Sequence, residues 1–296
     1  MKNLNFGSLN KDMVYSVSSI VRSGETVAAT KLEYFNGGKG LNQSIALARA
    51  GAEVYHAGRI GTDGTSLTAL LNENGVNTDY VSVSRSPSGH AVIQVTKEGQ
   101  NSILVYGGAN KEISTKQIMN VLSNFDEGDR LFLQNEINGV PALINSAARK
   151  KMEIIFNPSP IGQDIPSYPL DKISWFVVNE TEAEAITGVE GSENVLAAFE
   201  KKYPNANVLL TLGENGAYCK IKNETYFQDI FHTPVVDSTA AGDTFLGYFF
   251  ALLDTKGVKE SLRYAAAASA LAVSRKGAAM SIPTAGEVEE LLADLK

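Results

Sequence analysis

Short apolar runs ending in a polar residue or glycine recur along the chain: 131–133 before Gln134, 154–156 before Asn157, 175–178 before Asn179 and 208–212 before Gly213. Their lengths and flanks predict buried parallel strands. Helix-length segments lie between them, at 115–122, 142–150, 181–187 and 193–202, so the alternation predicts an α/β sheet covered on both faces. Ligands of such sheets gather at the carboxyl ends of the strands, where Asn135, Glu136, Asn157, Asn179 and Gly213 fall. Two regions break the alternation. Residues 89–106 read as a β-hairpin around Lys97-Glu98-Gly99-Gln100, and 13–21 and 30–35 are also strand-like. Apolar stretches at 245–253 and 264–273 read as buried helices, well short of the roughly 20 residues that span a bilayer.

Two turns of small residues feed helices. In Val236-Asp237-Ser238-Thr239-Ala240-Ala241-Gly242-Asp243-Thr244-Phe245, the apolar positions after Asp243 have helical spacing, which places Ala240, Ala241 and Gly242 at a helix N-terminus. Free N–H groups and the positive end of the helix dipole favour an anion there. Asp243 then stands where it could take a proton from an attacking hydroxyl; a helix-capping carboxylate is the plainer alternative. Asn36-Gly37-Gly38-Lys39-Gly40-Leu41-Asn42-Gln43 is the second turn. It is not a P-loop, because Gly40 follows Lys39 where Ser or Thr is required, and the chain has no G-x-G-x-x-G strand–helix fingerprint.

Gly37-Gly38-Lys39-Gly40, Asn179-Glu180-Thr181-Glu182 and the segment from Asp237 to Asp243, in this order and spacing, resemble the ribokinase (PfkB) family of carbohydrate kinases over essentially the whole chain. Gly7-Ser8-Leu9-Asn10-Lys11-Asp12, Gly24-Glu25-Thr26-Val27 and Ser274-Arg275-Lys276-Gly277-Ala278 carry the same likeness. The resemblance implies one kinase domain over 1–296, a three-layer α/β/α sandwich, with a small β-sheet lid inserted from about 11–36 and 89–106. It further implies ATP-dependent phosphorylation of a sugar primary hydroxyl, O5 of D-ribose first. Deoxyribose, fructose or a modified nucleoside is the alternative substrate, and a catalytically silent sugar or nucleotide sensor the alternative role.

By resemblance, Asp243 is the base and Ala240, Ala241 and Gly242 form the anion hole. Asn10, Asp12, Gly38, Lys39, Asn42 and Glu136 match sugar-contact positions. Asn179 and Glu182 fall around Mg²⁺ and the ATP phosphates, with a capping box as the plainer reading. Thr211, Gly213 and Gly216 border the nucleotide, and Ala266 offers the adenine apolar contact. Asp237, Thr239, Ala272, Arg275, Gly277 and Ser281 match a monovalent-cation site, K⁺ by preference, whose oxygen ligands suit a hard cation. The family's lid also pairs two subunits into a homodimer. Leu41 and Ser44 depart from the Ala common at these positions, and Gln134-Asn135-Glu136 is a variant of the family pattern.

Composition narrows the partners. With 33 acidic against 26 basic residues and a net charge of −7, the chain argues against nucleic acid or an anionic membrane as partner. The N-terminus lacks an apolar signal-peptide core, and the one cysteine, Cys219, reads as a buried thiol, so a cytoplasmic protein is expected. His56, His90 and His232 lack metal-ligand spacing.

Overall fold

The structure is a computed structural model that describes residues 1–294. Thirteen strands form two sheets. The larger sheet contains β1 (Asn3–Phe6), β4 (Val54–Gly61), β5 (Asn77–Ser84), β8 (Arg130–Gln134), β9 (Glu153–Asn157), β10 (Trp175–Asn179), β11 (Asn207–Thr211), β12 (Ala217–Ile221) and β13 (Glu224–Gln228). Their spatial order is β13-β12-β11-β10-β9-β8-β1-β4-β5, parallel from β11 to β5, with β12 antiparallel to both of its neighbours, β11 and β13, at one edge. Alternation along each strand sends side chains to opposite faces. Phe132, Ile155, Trp175, Val177 and Leu209 therefore pack with α1 (Lys39–Arg49), α2 (Thr65–Glu73), α7 (Ala241–Val273) and α8 (Ala285–Asp294). Leu131, Leu133, Ile154, Phe176 and Leu210 face α3 (Thr115–Leu122), α4 (Val140–Arg149), α5 (Glu180–Thr187) and α6 (Ser192–Lys202). The expected three-layer α/β/α sandwich is the observed one.

Two contacts set α7 in place. At the end of the sheet where strands begin, Arg130, 3 % exposed, pairs with Glu153 at 2.6 Å and with both carboxylate oxygens of Asp254 in α7, at 2.8 and 3.0 Å. Toward the other end, α7 lies so close to α1 that a Cβ on Gly247 would fall 2.3 Å from that of Ala46. Only glycine permits that approach. Residues one turn earlier on each helix, Asp243 on α7 and Asn42 and Gln43 on α1, are thereby brought into hydrogen-bonding distance. Gly257, at φ 74°, breaks α7 into two helical halves.

The second sheet has order β3-β2-β6-β7, from β2 (Asn10–Ser16), β3 (Lys31–Gly37), β6 (Gly89–Val95) and β7 (Asn101–Tyr106). The hairpin expected over 89–106 is present. The strand expected over 13–21 instead spans Asn10–Ser16, because Ser16 accepts from Thr30 N at 2.8 Å and the paired ladder ends there. The helix expected from 142 starts at Val140, since Gly139 in a left-handed conformation turns the chain and Pro141 suits a first helical turn. Among the described residues no helix is long and apolar enough to cross a membrane.

Candidate active site

Neither helix start at the site is capped by the side chain of its own N-cap residue, Gly38 for α1 and Ala240 for α7. At α1, backbone donors are taken up by groups from other elements. Lys39 N donates to Glu136 Oε2 at 3.0 Å, Gly40 N to Ser8 Oγ at 3.2 Å and Leu41 N to Ser8 O at 3.0 Å. Ser8 Oγ also donates to Glu136 Oε2. Gly38 holds φ 94°, and a Cβ on Gly40 would sit 2.4 Å from Ser8 N, so this turn requires its glycines.

Four sugar candidates, Gly38, Lys39, Asn42 and Glu136, thus meet around one turn, and Asn10 and Asp12 approach from β2. Asn10 Oδ1 accepts from the buried Asn110 Nδ2 at 2.7 Å, and the Asn10 NH₂ has no partner among the described residues. Burial, and secondarily the charge of Glu136, push the Asp12 carboxyl up to about 7. Burial alone would lower the Lys39 ammonium, but Asp243, Glu136 and Glu182 outweigh it and raise it, so Lys39 remains charged. Among the described residues Lys39 makes no ion pair, which leaves its ammonium in the cleft for a ligand.

At α7 the donors stay open. Ala240 stands at φ 62°, a left-handed conformation uncommon for a residue with a Cβ. Ala241 N donates to Ser238 O at 3.2 Å, whereas the N–H groups of Ala240, Gly242 and Asp243 have no partner among the described residues. Of the expected Ala240, Ala241 and Gly242, the first and last thus present free N–H groups, and Asp243 N joins them while Ala241 N is taken. A Cβ on Gly242 would meet nothing within 4 Å, so this glycine opens the approach to the backbone instead of permitting tight packing. Asp243 is 7 % exposed; its Oδ1 accepts from Gln43 Nε2 at 2.9 Å and its Oδ2 from Asn42 Nδ2 at 3.1 Å.

Asn179 and Glu182 form the capping box that was the plainer reading: Asn179 N donates to Glu182 Oε2 at 3.0 Å and Glu182 N to Asn179 Oδ1 at 2.9 Å. They also line one cleft together with Lys39, Asn157, Gly242 and Asp243. Glu182 Oε1 is the oxygen left for a ligand. A single free carboxylate oxygen beside an amide is a donor set that would suit a Mg²⁺ keeping most of its own waters.

That cleft shares Asn179, Thr211, Ser238, Ala241 and Gly242 with a wider, apolar one. Gly213, Gly216 and Ala266 line the wider cleft as expected, and Phe231, Phe245, Ser269 and Ala270 join them unexpectedly. Spacing around small residues carries no signal for such walls. Asn5 and Gln134, polar residues inside fully buried strands, were a signal that pattern reading passed over.

The six cation candidates lie on two adjoining loops. Asp237 Oδ1 accepts from Thr239 N at 2.9 Å and from its hydroxyl at 2.6 Å, and Oδ2 from Gly277 N at 3.0 Å. Burial alone would raise this carboxyl; these donors and Lys276 outweigh it and hold it below its ordinary range. Carbonyls of Asp237, Thr239, Arg275 and Gly277 accept nothing among the described residues and are free to ligate. Ala272 fits least well, since its carbonyl takes Arg275 N at 3.1 Å. The Arg275 side chain pairs with Glu287 at 2.7 Å, and Ser281 Oγ donates to Ala278 O at 2.8 Å.

Of the departures, Leu41 is core, and Ser44 Oγ bonds His56 Nδ1 at 2.8 Å, where burial pushes the imidazole down to about 3. Cys219 is buried in β12, and burial pushes its thiol up to about 12.

This arrangement, an open helix start beside a fixed carboxylate with a polar turn on one side and an apolar cleft on the other, is one that a phosphoryl-transfer site needs. The profile of the pfkB family carbohydrate kinases matches residues 1–285. Ribokinase of Haemophilus influenzae is 36% identical over 97% of this chain and 96% of its own length, and that of Bacillus subtilis 35% over 97% of each. Deoxyribokinase of Salmonella typhimurium is 30% identical over 97% of each. Among solved structures, Arabidopsis thaliana ribokinase complexed with ribose and ATP aligns at a TM-score of 0.87 and 33% identity over 98% of each chain. The Cryptococcus neoformans enzyme with ADP aligns at 0.86 and 32%, over 98% of this chain and 99% of that one. The chain belongs to the pfkB family of carbohydrate kinases. It is a sugar kinase.

Proposed function

We propose that the protein transfers the γ-phosphoryl group of ATP to O5 of D-ribose. The observation that carries this reading is the pairing of a buried, doubly hydrogen-bonded Asp243 with unpartnered N–H groups at the start of the same helix. Asp243 accepts the hydroxyl proton as the O5–phosphorus bond forms and the bond to the ADP oxygen breaks. The N–H groups of Ala240, Gly242 and Asp243, the α7 dipole and the Lys39 charge neutralise the transferring group. Asn10, Asp12, Asn42 and Glu136 bind the hydroxyls, and the apolar cleft at Ala266 takes the base. When bound through Glu182 and Asn179, Mg²⁺ supplies charge neutralisation on the ATP phosphates. The carbonyls of the Asp237 and Gly277 loops would hold K⁺, whose charge would tie these loops together before Ala240.

The four-stranded sheet is the lid of a single kinase domain. Its exposed Leu32, Tyr34, Leu104 and Tyr106 support pairing with a second copy, which sedimentation tests. Buried, unpaired Cys219 supports a cytoplasmic setting. ADP formation over a panel of pentoses, hexoses and nucleosides tests the substrate: ribose is expected to give the highest kcat/KM. A higher value for deoxyribose, the substrate class named by the Salmonella relative, would replace ribose and leave the kinase reading intact; ADP formation with no sugar would overturn both.

A further inference from the structure

The carboxylate of Asp243 terminates a directed chain of buried amides. A carboxylate only accepts, so Gln43 must present Nε2 to Oδ1, at 2.9 Å. Its Oε1 then faces Gln134, whose Nε2 donates to it at 2.6 Å and also to Asn5 Oδ1 at 3.0 Å. Asn5 is left to donate from Nδ2, and does so to the carbonyl of Gly40 at 3.0 Å. Asn5, Gln43 and Gln134 are 0, 1 and 0 % exposed. Amides at such positions are unfavourable unless bonded, and apolar residues would fill β1 and β8 more simply. The chain even tolerates an unpartnered acceptor, Gln134 Oε1, against which a Cβ on Gly7 would lie at 2.4 Å.

We infer that Gln43, Gln134 and Asn5 are positioning residues: they orient the base and couple it to the turn that holds the sugar. The inference rests on Asp243 as the base. Gly40 belongs to the turn carrying Gly38 and Lys39, so any shift of that turn is passed through Asn5 and Gln134 to Gln43 and to Oδ1. Asn42, from the same turn, holds Oδ2 at 3.1 Å. The carboxylate can therefore hold only one rotation about its χ2, with its remaining lone pairs toward the cleft.

Gln43→Met matches the length and removes the donor; kcat is expected to fall about 10-fold or more with the KM for ATP within about 2-fold. Gln134→Met should act in the same direction, and the double variant should lose little beyond the larger single loss, as members of one unit do. Gln43→Glu supplies a readout that packing alone does not move. Its introduced carboxyl faces Asp243, with Lys39 the nearby cation, and donates only when protonated, so its kcat relative to the parent should rise several-fold from pH 8 to pH 6. Thermal unfolding of each variant checks folding; if Gln43→Met does not fold, Gln134→Met, one link further from the carboxylate, carries the same kcat criterion. Parental kcat in the folded Met variants, with Asp243→Asn inactive, overturns the inference alone. Turnover retained in Asp243→Asn overturns the base assignment instead.

Discussion

The starts of α1 and α7 read alike in the sequence, as small residues opening into a helix, yet they end in opposite states. At α1 three consecutive N–H groups, of Lys39, Gly40 and Leu41, are occupied by Glu136 and Ser8. At α7 the N–H groups of Gly242 and Asp243 are unoccupied, and no side chain reaches them. The glycines differ accordingly: Gly40 touches Ser8, while Gly242 faces open space. A closed helix start builds a rigid polar turn that can present Asn42 to a neutral polyol and Lys39 to the anion beside it. An open one keeps its dipole and donors for an anion. The difference lies in what arrives from β1 and β8, not in either turn.

The sharpest way to break this contrast is to remove Asp243, the group both helix starts share. Asp243→Asn should lower kcat by about 10²-fold or more, the usual scale for a general base. The substitution is not silent in shape, because the new NH₂ would oppose the N–H of either Gln43 or Asn42. Asp243→Ala, which has no such conflict, should be equally slow while still binding sugar, as read by calorimetric titration. Near-parental turnover in both variants would show that the open turn acts without a base.

Separating the two starts is the next test. Gly247→Ala places a methyl where 2.3 Å is available to Ala46, so α1 and α7 must part. Overpacking of this kind costs about 1–3 kcal/mol, and because Asn42 and Gln43 sit one turn from the contact, kcat should drop about 10-fold or more. A variant that melts lower with unchanged kcat would mean that the bonds to Asp243 do not depend on this packing.

Much of this was legible because periodicity and chemistry coincide in the strands. Runs at 131–133, 154–156 and 175–178 predicted their strands to within a residue or two, and Asn157 and Asn179, at the carboxyl ends of the last two, do line the cleft. The identities of donors and acceptors were not legible, since they depend on partners more than a hundred residues apart: Ser8 with Glu136, Gln43 with Asp243, Gln134 with Asn5. The partner of Ala241 N was not legible for the same reason, as nothing in a run of small residues says that Ser238 will take its N–H. Of the apolar cleft, the expected Gly213, Gly216 and Ala266 do line it, but Phe231 from the irregular segment after β13 and Phe245, Ser269 and Ala270 from α7 were not legible.

On the closed side, Asp12→Asn and Glu136→Ala should each raise the KM for ribose about 10-fold through unpaired hydroxyls. Asp12 adds a pH signature. Its carboxyl, at about 7 when folded against 3.8 ordinarily, binds its proton more tightly in the native state. It therefore penalises folding by an amount that is absent below 3.8, grows as pH rises toward about 7 and is constant above. In ligand-free protein the melting-temperature advantage of Asp12→Asn over the parent should widen from pH 4 to pH 7. A constant difference across that range would show that Asp12 is not buried against Glu136 in solution.

The smallest expected effect concerns what orders the open turn. Asp237 clamps Thr239 to Gly277 through both its oxygens, and the proposed K⁺ on the free carbonyls of these two loops would be a second tie. With the loops ordered, Ala240 is held in its left-handed conformation and the donors after it are aligned before ATP arrives. Replacing Na⁺ or tetramethylammonium by K⁺ at constant ionic strength should raise kcat a few-fold, and Asp237→Ala should abolish that response. Because the folded Asp237 carboxyl lies below its ordinary 3.8, its clamp contributes stability above that value and loses it only as pH falls through the folded value. The K⁺ response should therefore be undiminished from pH 8 down to pH 5. If the parent is indifferent to the monovalent ion, the clamp alone orders the turn, and the contrast between the two helix starts needs no cation.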